Sequence, residues 1–306
     1  MARLDWNVWR PRLGYAAFAV AAFLVALRAT FPYDAVRERI TRLAAANGYA
    51  VEAQELGPGG GLLGVTARGL TVDDGSGLKF PVEEVTASLR LWTLLTGHPS
   101  VAFDVRVWDG RITGTVGVSG AERALVLSAT GLDLARALPL RRASGLELVG
   151  KLFAEADLVL PATPQGKAAG AAQARVEGAG VSGGQVPVPG MEGGLPVPKL
   201  SLGEVAALLK VDQGKATFEK LEALGGDAEL TTSDLFLVLQ RRFRDSPVSG
   251  RARLRIKDAF WTQSGTQGLR GIAESAMAAA RGSDGWYTYQ LSGSVARPTP
   301  RPAGAR

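Results

Sequence analysis

The chain has 306 residues and a net charge of +6, and 46% of its residues are hydrophobic, which is enough for a packed body. The absence of cysteine excludes disulfides, thiolate zinc sites, iron–sulfur clusters and a cysteine nucleophile. Half of the positive excess lies in residues 1–33, where four arginines oppose one aspartate. The rest of the chain therefore lacks the concentrated basic footprint of a nucleic-acid-binding protein, and we expect no nucleic-acid partner.

An apolar segment near the start dominates the organisation of the chain. Residues 13–27 carry no charge, and about 20 mostly apolar residues cross a bilayer as a helix. Because Arg28 can extend its guanidinium to the headgroups and Tyr33 is an interfacial ring, we predict a transmembrane helix over 13–33. Lys and Arg favour the cytoplasmic side, so residues 1–12, with Arg3, Arg10 and Arg12, are expected in the cytoplasm and the body beyond Tyr33 outside it.

Two other interpretations of this segment stay open. A cleaved signal peptide has the same charged start and apolar core, and its best small-residue cleavage site is Leu27-Arg28-Ala29. A buried helix of a soluble protein is the third alternative. Whether the segment is retained as an anchor or cleaved as a signal peptide, residues 34–306 are expected to lie outside the cytoplasm.

A short amphipathic helix is predicted from Asp34 to Ala46, with Asp34 as N-cap and Asn47-Gly48 as the stop. Its apolar face holds Val36, Ile40, Leu43 and Ala44. Two placements are considered. The helix packs on the end of the following sheet, or it lies on the outer leaflet with its arginines at the lipid phosphates: Arg37, Arg39 and Arg42.

Beyond residue 46 the pattern is mostly alternation with period two, broken by Gly and Pro, as in antiparallel sheets. The sharpest hairpin signal is Asp109-Gly110 between two alternating runs. One turn of helix is expected at Leu132–Leu138, ended by Pro139. The predicted strands lie at Val51, 62–72, 82–91, 101–107, 112–118, 125–129, 148–160, 172–176, 200–211, 215–224, 228–232, 235–239, 252–256 and 286–295.

The strand at 148–160 has the cleanest division into two faces. Leucines and alanines from Leu148 to Leu160 share one face, while Glu147, Lys151, Glu155 and Asp157 share the other. After a turn at Gly166 the chain returns through 172–176. These two strands are expected to have one buried and one wet face.

Four segments depart from plain alternation. Residues 182–198 contain four prolines and are expected to form a Pro/Gly loop with no central strand. Helix is an alternative within 203–209 and the prediction for 268–280. The basic alternation from Arg251 to Lys257 is interpreted as a solvated strand face, with a polyanion contact as the alternative. The Pro-rich end, 298–306, is expected to be a flexible tail.

Sequence patterns typical of catalytic or cofactor sites occur, but the residues around them do not fit such sites. The GxGxxG matches at 59–64 and 178–183 lack the strand–helix setting of a dinucleotide site and are interpreted as turns. His98, the lone histidine, precedes Pro99 in a turn, and the sequence shows no acidic or Ser residue in a recognisable arrangement with it for base catalysis. The adjacent acids Asp73-Asp74 and Glu83-Glu84 would point to opposite faces of a strand. No GxSxG, P-loop or HExxH occurs, so we predict no enzyme, catalytic residue, metal or cofactor.

Three stretches together resemble a known family: FPYDAVRERI at 31–40 after the apolar segment, the strand–Gly turn–strand unit at 195–230, and DGWYTYQLSGSVARPTP at 284–300. Their succession is similar to the GspN family, the N component of the type II (general) secretion pathway. The resemblance implies a single-pass inner-membrane protein with a periplasmic body over 34–297. It further implies a structural or accessory part of the secretion machine, in contact with its other components.

The resemblance also suggests kinship with AsmA-like proteins, whose long bent sheets carry an apolar groove. We therefore expect a mainly β chain: an N-terminal transmembrane helix, then a repetitive, curved antiparallel sheet, as an AsmA-like half-barrel or a sandwich, with a few short helices. A periplasmic lipid-binding or lipid-transfer groove, with phospholipid as ligand, is the alternative function, because long one-faced strands leave an apolar patch.

Overall fold

The computed structural model describes residues 18, 22, 30, 33–46, 49–60, 63–73, 79–90, 92–93, 97–119, 122–161, 167–188, 191–240, 242–263 and 265–303. The predicted cytoplasmic residues 1–12 lie outside the described residues, as does nearly all of the predicted membrane segment 13–33. Among the helices that the described residues form, none has the length and apolar character needed to span a membrane.

Fifteen strands make up most of the described chain. Their bounds are β1 Ala50–Pro58, β2 Gly64–Asp73, β3 Lys79–Leu89, β4 Ser100–Val107, β5 Gly110–Ser119, β6 Glu122–Asp133, β7 Leu146–Pro161, β8 Ala169–Val188, β9 Met191–Pro196, β10 Leu200–Asp212, β11 Lys215–Gly225, β12 Ala228–Val238, β13 Val248–Ile256, β14 Tyr287–Ser294 and β15 Arg297–Pro302.

In the described residues, four short helices have bounds on both sides: α1 Tyr33–Ala46, α2 Leu138–Ser144, α3 Asp258–Trp261 and α4 Arg270–Met277. Single 3-10 turns lie at Leu134–Arg136, Phe243–Asp245, Gln267–Leu269 and Ala278–Ala280. The helices predicted at 34–46 and 268–280 are confirmed.

The sheet is a meander. Fourteen strands hydrogen-bond in the order β1 to β8 and β10 to β15, every pair is antiparallel, and β9 pairs only with β8. The mainly β, antiparallel prediction is confirmed. Because β1 and β15 stand at opposite ends of one continuous sheet, the sandwich of two separate sheets is not the arrangement of the described residues.

Two-residue turns connect several strands, with one shift from the prediction. Val107 pairs with Gly110, so the β4–β5 turn consists of Trp108 and Asp109 rather than Asp109-Gly110. Both turn residues have positive φ, 51° and 57°. A two-residue turn with two left-handed residues matches the right-handed twist of the flanking strands, which explains why the hairpin forms without glycine at either turn position.

The expectation that Pro139 ends a helix was wrong. The 3-10 turn at 134–136 stops before it, and Pro139 then lies in the first turn of α2, which ends at Gly145 with φ 73°. Proline is favoured in the first helical turn because the missing N–H would have no intrahelical acceptor there.

The expected loop at 182–198 is instead largely strand. β8 continues to Val188, and β9 folds back on it with Val186 opposite Leu195. Proline is tolerated here because this outer part is a ribbon of two strands, not a central strand, so that a missing backbone N–H interrupts no central ladder. The alternative of helix at 203–209 was also wrong, since these residues lie in β10.

The second glycine pattern, 178–183, lies inside β8 and is not a turn. The register with β7 and with β10 shifts there, and Gly178 has φ 62°. A Cβ on Gly180 would lie 2.6 Å from the carbonyl oxygen of Leu200. These glycines therefore permit a bulge and a close backbone approach. The first pattern, 59–64, does connect β1 to β2, as predicted.

The tail expected from residue 298 forms β15 as far as Pro302, so that prediction was wrong for those residues; 304–306 lie outside the described residues. Pro298, Pro300 and Pro302 alternate along β15. In an antiparallel strand alternate residues donate toward the same neighbour. Ala303, in phase with Thr299 and Arg301, donates its N–H to Thr288 O at 2.9 Å, so the prolines take the positions that face away from β14.

Candidate functional site

The register of the sheet assembles one row of apolar side chains across eight strands, here called the central apolar row. Each member is the direct cross-strand partner of the next. In order from β3 to β11 the row is Ala87, Phe103, Gly114, Leu127, Ala156, Ala172, Leu209 and Phe218.

Every member of the central apolar row is half-buried, and none is fully buried. Gly114 makes room for its neighbour: a Cβ there would lie 2.5 Å from the Cζ of the Phe103 ring. The ring thus covers the glycine backbone, a packing that compensates for the missing side chain. The row is a continuous apolar surface that the rest of the described chain only partly shields.

Two buried clusters flank this row. Val107, Ala129 and Leu132 form one, with Val82 and Leu152 packed against it. Ala168, Val211, Ala216 and Leu237 form the other. Helix α2 contacts both β7 and β3.

The segment 258–280, which contains α3 and α4, packs at the β10–β14 end of the sheet. Phe260 is 3% exposed and Trp261 8% exposed, and the two rings meet edge to face at 4.9 Å. With Leu200, Ile256 and other apolar residues they line a small cavity of about 140 Å³. This segment covers apolar side chains at one end of the sheet, whereas the side chains of the central apolar row stay half-buried.

The opposite face of the sheet carries a polar row. From β2 to β11 its members are Thr66, Thr86, Asp104, Thr113, Ser128, Glu155, Gln173, Leu208 and Lys220. Neighbours in the row bond to one another: the hydroxyls of Thr66 and Thr86 lie 3.0 Å apart, and Gln173 Nε2 donates to Glu155 Oε2 at 2.8 Å.

Charge pairing extends over this polar face. Asp104 accepts from the guanidinium of Arg111, and that hydrogen bond holds the pKa of Asp104 below its ordinary value. Two adjoining grooves of about 600 and 500 Å³ lie over the face and share the polar-row residues Ser128, Glu155, Gln173 and Leu208. Of these four lining residues, Glu155 and Gln173 already bond to each other.

The basic alternation of β13 is balanced by carboxylates. Arg253 pairs with Asp284, while Arg255 and Lys257 pair with Glu229. Arg253 and Arg255 also lie over the Trp286 ring, 5.0 and 4.7 Å from its centre. The hydrogen bond from Arg255 lowers the pKa of Glu229. This is a paired strand face, as the solvated interpretation predicted.

The residues weighed as catalytic candidates stay apart. His98 is exposed in the turn before β4 and donates its backbone N–H to Thr93 O at 3.0 Å. Glu84 faces Arg68 and Arg106 at 3.5 and 3.9 Å, and its neighbour Glu83 is exposed. Asp73 ends β2, and Asp74 lies outside the described residues. Within the described ranges no three His, Asp or Glu side chains form a group that could hold a metal.

Helix α1 has an exposed apolar side. Ile40 is 44% exposed and Leu43 55% exposed, whereas Tyr33 and Ala44 are half-buried. Arg37 donates to the carbonyl oxygen of Ala53 in β1 at 2.9 Å. The helix contacts β1, as its placement on the following sheet predicted, while Ile40 and Leu43 lie on a side that stays exposed.

Neither row is visible in any single stretch of sequence, because each depends on the register of at least seven strand pairs. The rows could have been predicted by asking, for each hairpin in turn, whether the apolar residues of its two strands fall on the same face of the sheet.

No protein family, no curated protein and no solved structure matches this chain.

Proposed function

We propose that this chain is a structural, accessory component of the type II protein secretion system. In this proposal an N-terminal helix, residues 13–33, anchors it in the inner membrane, and the sheet stands in the periplasm against other secretion components. No catalytic role is assigned to any residue.

The observation that carries the proposal is the order of elements in the three stretches that resemble the GspN family. The first contains the start of helix α1, at Tyr33. The second contains the β10–β11 hairpin, whose turn is Gln213-Gly214. The third contains β14 and most of β15. The first two stretches contain the helix and the strand–turn–strand unit that were predicted there, and the third contains the predicted strand β14, whereas β15 was not predicted.

A gene deletion tests the secretory role. Loss of the chain should lower exoprotein in the medium and leave exoprotein in the periplasm, while inner-membrane protein levels stay normal. Complementation with wild type, or with Val126→Ala on the exposed polar face, should restore secretion; Phe260→Ala should restore it poorly because the anchoring of the sheet is weakened. Normal secretion in the deletion strain would contradict the proposal.

The central apolar row favours a second candidate, a periplasmic surface that binds or transfers phospholipid acyl chains. Extended apolar surfaces usually mark a ligand or partner site. A row across eight strands spaced by about 4.8 Å extends over some 34 Å, longer than one extended acyl chain. Acyl chains lying along this row would bury it without needing polar contacts.

The second candidate, a lipid-binding surface, also includes a curved sheet. Helix α2, about 10 Å long at ~1.5 Å per residue, contacts β3 as well as β7. In a flat sheet those strands would lie about 19 Å apart. Val82 of β3 and Leu152 of β7 also pack against one cluster. A bend with the apolar side inside, as in an AsmA-like half-barrel, is part of this candidate and not of the fold described above, in which β1 and β15 are the two ends of one open sheet.

Neighbouring residues on one strand allow a matched test. A photo-crosslinking residue at Ala156, in the central apolar row, should capture phospholipid in living cells, whereas the same residue at Asp157, on the opposite face, should not. Mass spectrometry of the purified adduct identifies the lipid. Equal capture at both positions, or none at Ala156, would remove the lipid candidate and leave the structural one standing.

A further inference from the structure

Helix α1 presents two different sides. On a helical projection of about 100° per residue, Ile40 and Leu43 share one side and Ala45 lies roughly opposite. The seam toward β1 is made by Tyr33, Ala44 and the Arg37 bond to Ala53 O. Ile40 and Leu43 therefore stand beside the seam, exposed by 44% and 55%.

The charges of α1 are placed around this exposed side. Arg39 borders it and is itself exposed. Arg42 lies on the opposite side and is neutralised by Glu38 at 3.1 Å, one turn earlier. An apolar strip with arginine at its border is the pattern of a helix lying in a bilayer interface, where the arginine stem extends to the phosphates.

The position of α1 in the chain selects the occupant. The apolar run 13–27 ends only six residues before α1 begins at Tyr33. Six residues reach about 20 Å at most, so any bilayer that holds the run lies within reach of the helix. A lipid surface is thus the nearest apolar phase to Ile40 and Leu43.

We infer that α1 lies on the surface of the bilayer, with Ile40 and Leu43 among the acyl chains and Arg39 at the lipid phosphates. This inference rests on the membrane anchor of the proposed function and goes beyond it, since neither secretion nor lipid transfer requires α1 to lie on the bilayer. It fixes which side of the sheet meets the membrane: the β1 edge lies beside the lipid, and the β15 edge is at the far end of the strand order.

The absence of cysteine in the chain allows single labels to test this. Full-length Ile40→Cys, Leu43→Cys and Ala45→Cys proteins, each carrying a nitrobenzoxadiazole label, are reconstituted in phosphatidylethanolamine–phosphatidylglycerol vesicles. Labels at 40 and 43 should be quenched by spin-labelled lipid and reduced by external dithionite about fivefold more slowly than the label at 45. The rates are taken only from protein molecules whose labelled helix faces the outside of the vesicle, which are identified by their accessibility to an external protease.

Two results would overturn the inference. Equal dithionite rates at all three positions would place the apolar side in water. Protection of 40 and 43 from dithionite without quenching by spin-labelled lipid would place it against protein, such as a second copy of the chain. Because the vesicles contain no secretion components, either result is distinct from a failure of the secretory role.

A pair of arginine variants tests the phosphate contact. With the label at 40, Arg39→Gln should raise the dithionite rate about twofold, because the helix loses its headgroup contact. Arg42→Gln, on the opposite side, should leave the rate unchanged. Equal effects of the two variants would overturn the assignment of Arg39 to the phosphates.

Discussion

The two ends of the apolar face are built differently. At the β10–β14 end, Phe260 and Trp261 are nearly fully buried, and the alanines of the adjoining strands, Ala223 and Ala228, are 0% exposed. Across β3 to β11, the central apolar row is only half-buried. Within the described residues, the same alternation thus yields a closed core beside the helical segment 258–280 and a half-buried surface along the central apolar row.

The largest expected effect is at the covered end. Phe260→Ala removes a buried ring and leaves a cavity, which should lower the free energy of unfolding by about 3–4 kcal/mol. Urea denaturation followed by tryptophan fluorescence measures this. Phe243→Ala is the control, because Phe243 is 56% exposed and should change stability by less than about 0.5 kcal/mol. Equal losses would mean that the helical segment does not anchor the sheet.

A smaller effect is expected in the central apolar row. Leu127→Ala removes a half-buried side chain and should cost about 1–2 kcal/mol, since part of its apolar area already faces solvent. Its neighbour Val126, 49% exposed on the polar face, should cost under about 0.5 kcal/mol when changed to Ala. A Leu127→Ala loss as large as that of Phe260→Ala would show that the row is fully covered in solution.

The smallest effect concerns the polar face of the covered end and depends on pH. Glu229 has a lowered pKa in the folded chain because Arg255 hydrogen-bonds to it. Its contribution is therefore present above the unfolded pKa, near 4.5, and is lost as the pH falls through the lower folded value. Since Arg255 is 45% exposed, Glu229→Gln should cost only about 0.5–1 kcal/mol at pH 7.

The gap between wild type and Glu229→Gln should narrow in denaturation curves taken below about pH 4.5 and close once the pH is below the lowered folded pKa. A gap that persists unchanged at acidic pH would contradict the pairing with Arg255 and Lys257. Glu83→Gln, at an exposed position of β3, serves as the control and should show no gap at either pH.

Local pattern was sufficient for most individual hairpins. The β4–β5 and β7–β8 pairs follow from alternation and turn residues, because both signals lie within one short stretch. It was insufficient at 182–198 and 297–302, where proline was weighed as a breaker although the prolines occupy a two-stranded ribbon and an outer strand. The central apolar row was beyond local pattern altogether, since Ala87 and Phe218 join it only through the register of every strand between them.

The placement of α1 shows the same limit. The 3.6-residue period predicted its extent closely, although the helix begins at Tyr33, so that Asp34 lies inside it and is not the N-cap. The period cannot say whether an apolar side meets protein or lipid. The structure adds that Ile40 and Leu43 stay exposed beside the contact with β1.

The alternating prolines of β15 have a consequence for growth of the sheet. A strand that tried to dock on the outside of β15 would find no amide hydrogen at positions 298, 300 and 302. Templated addition of further chains, the first step of fibril formation, would stall there for lack of a ladder. The β15 edge of this open sheet is thus protected against the addition of strands from other chains.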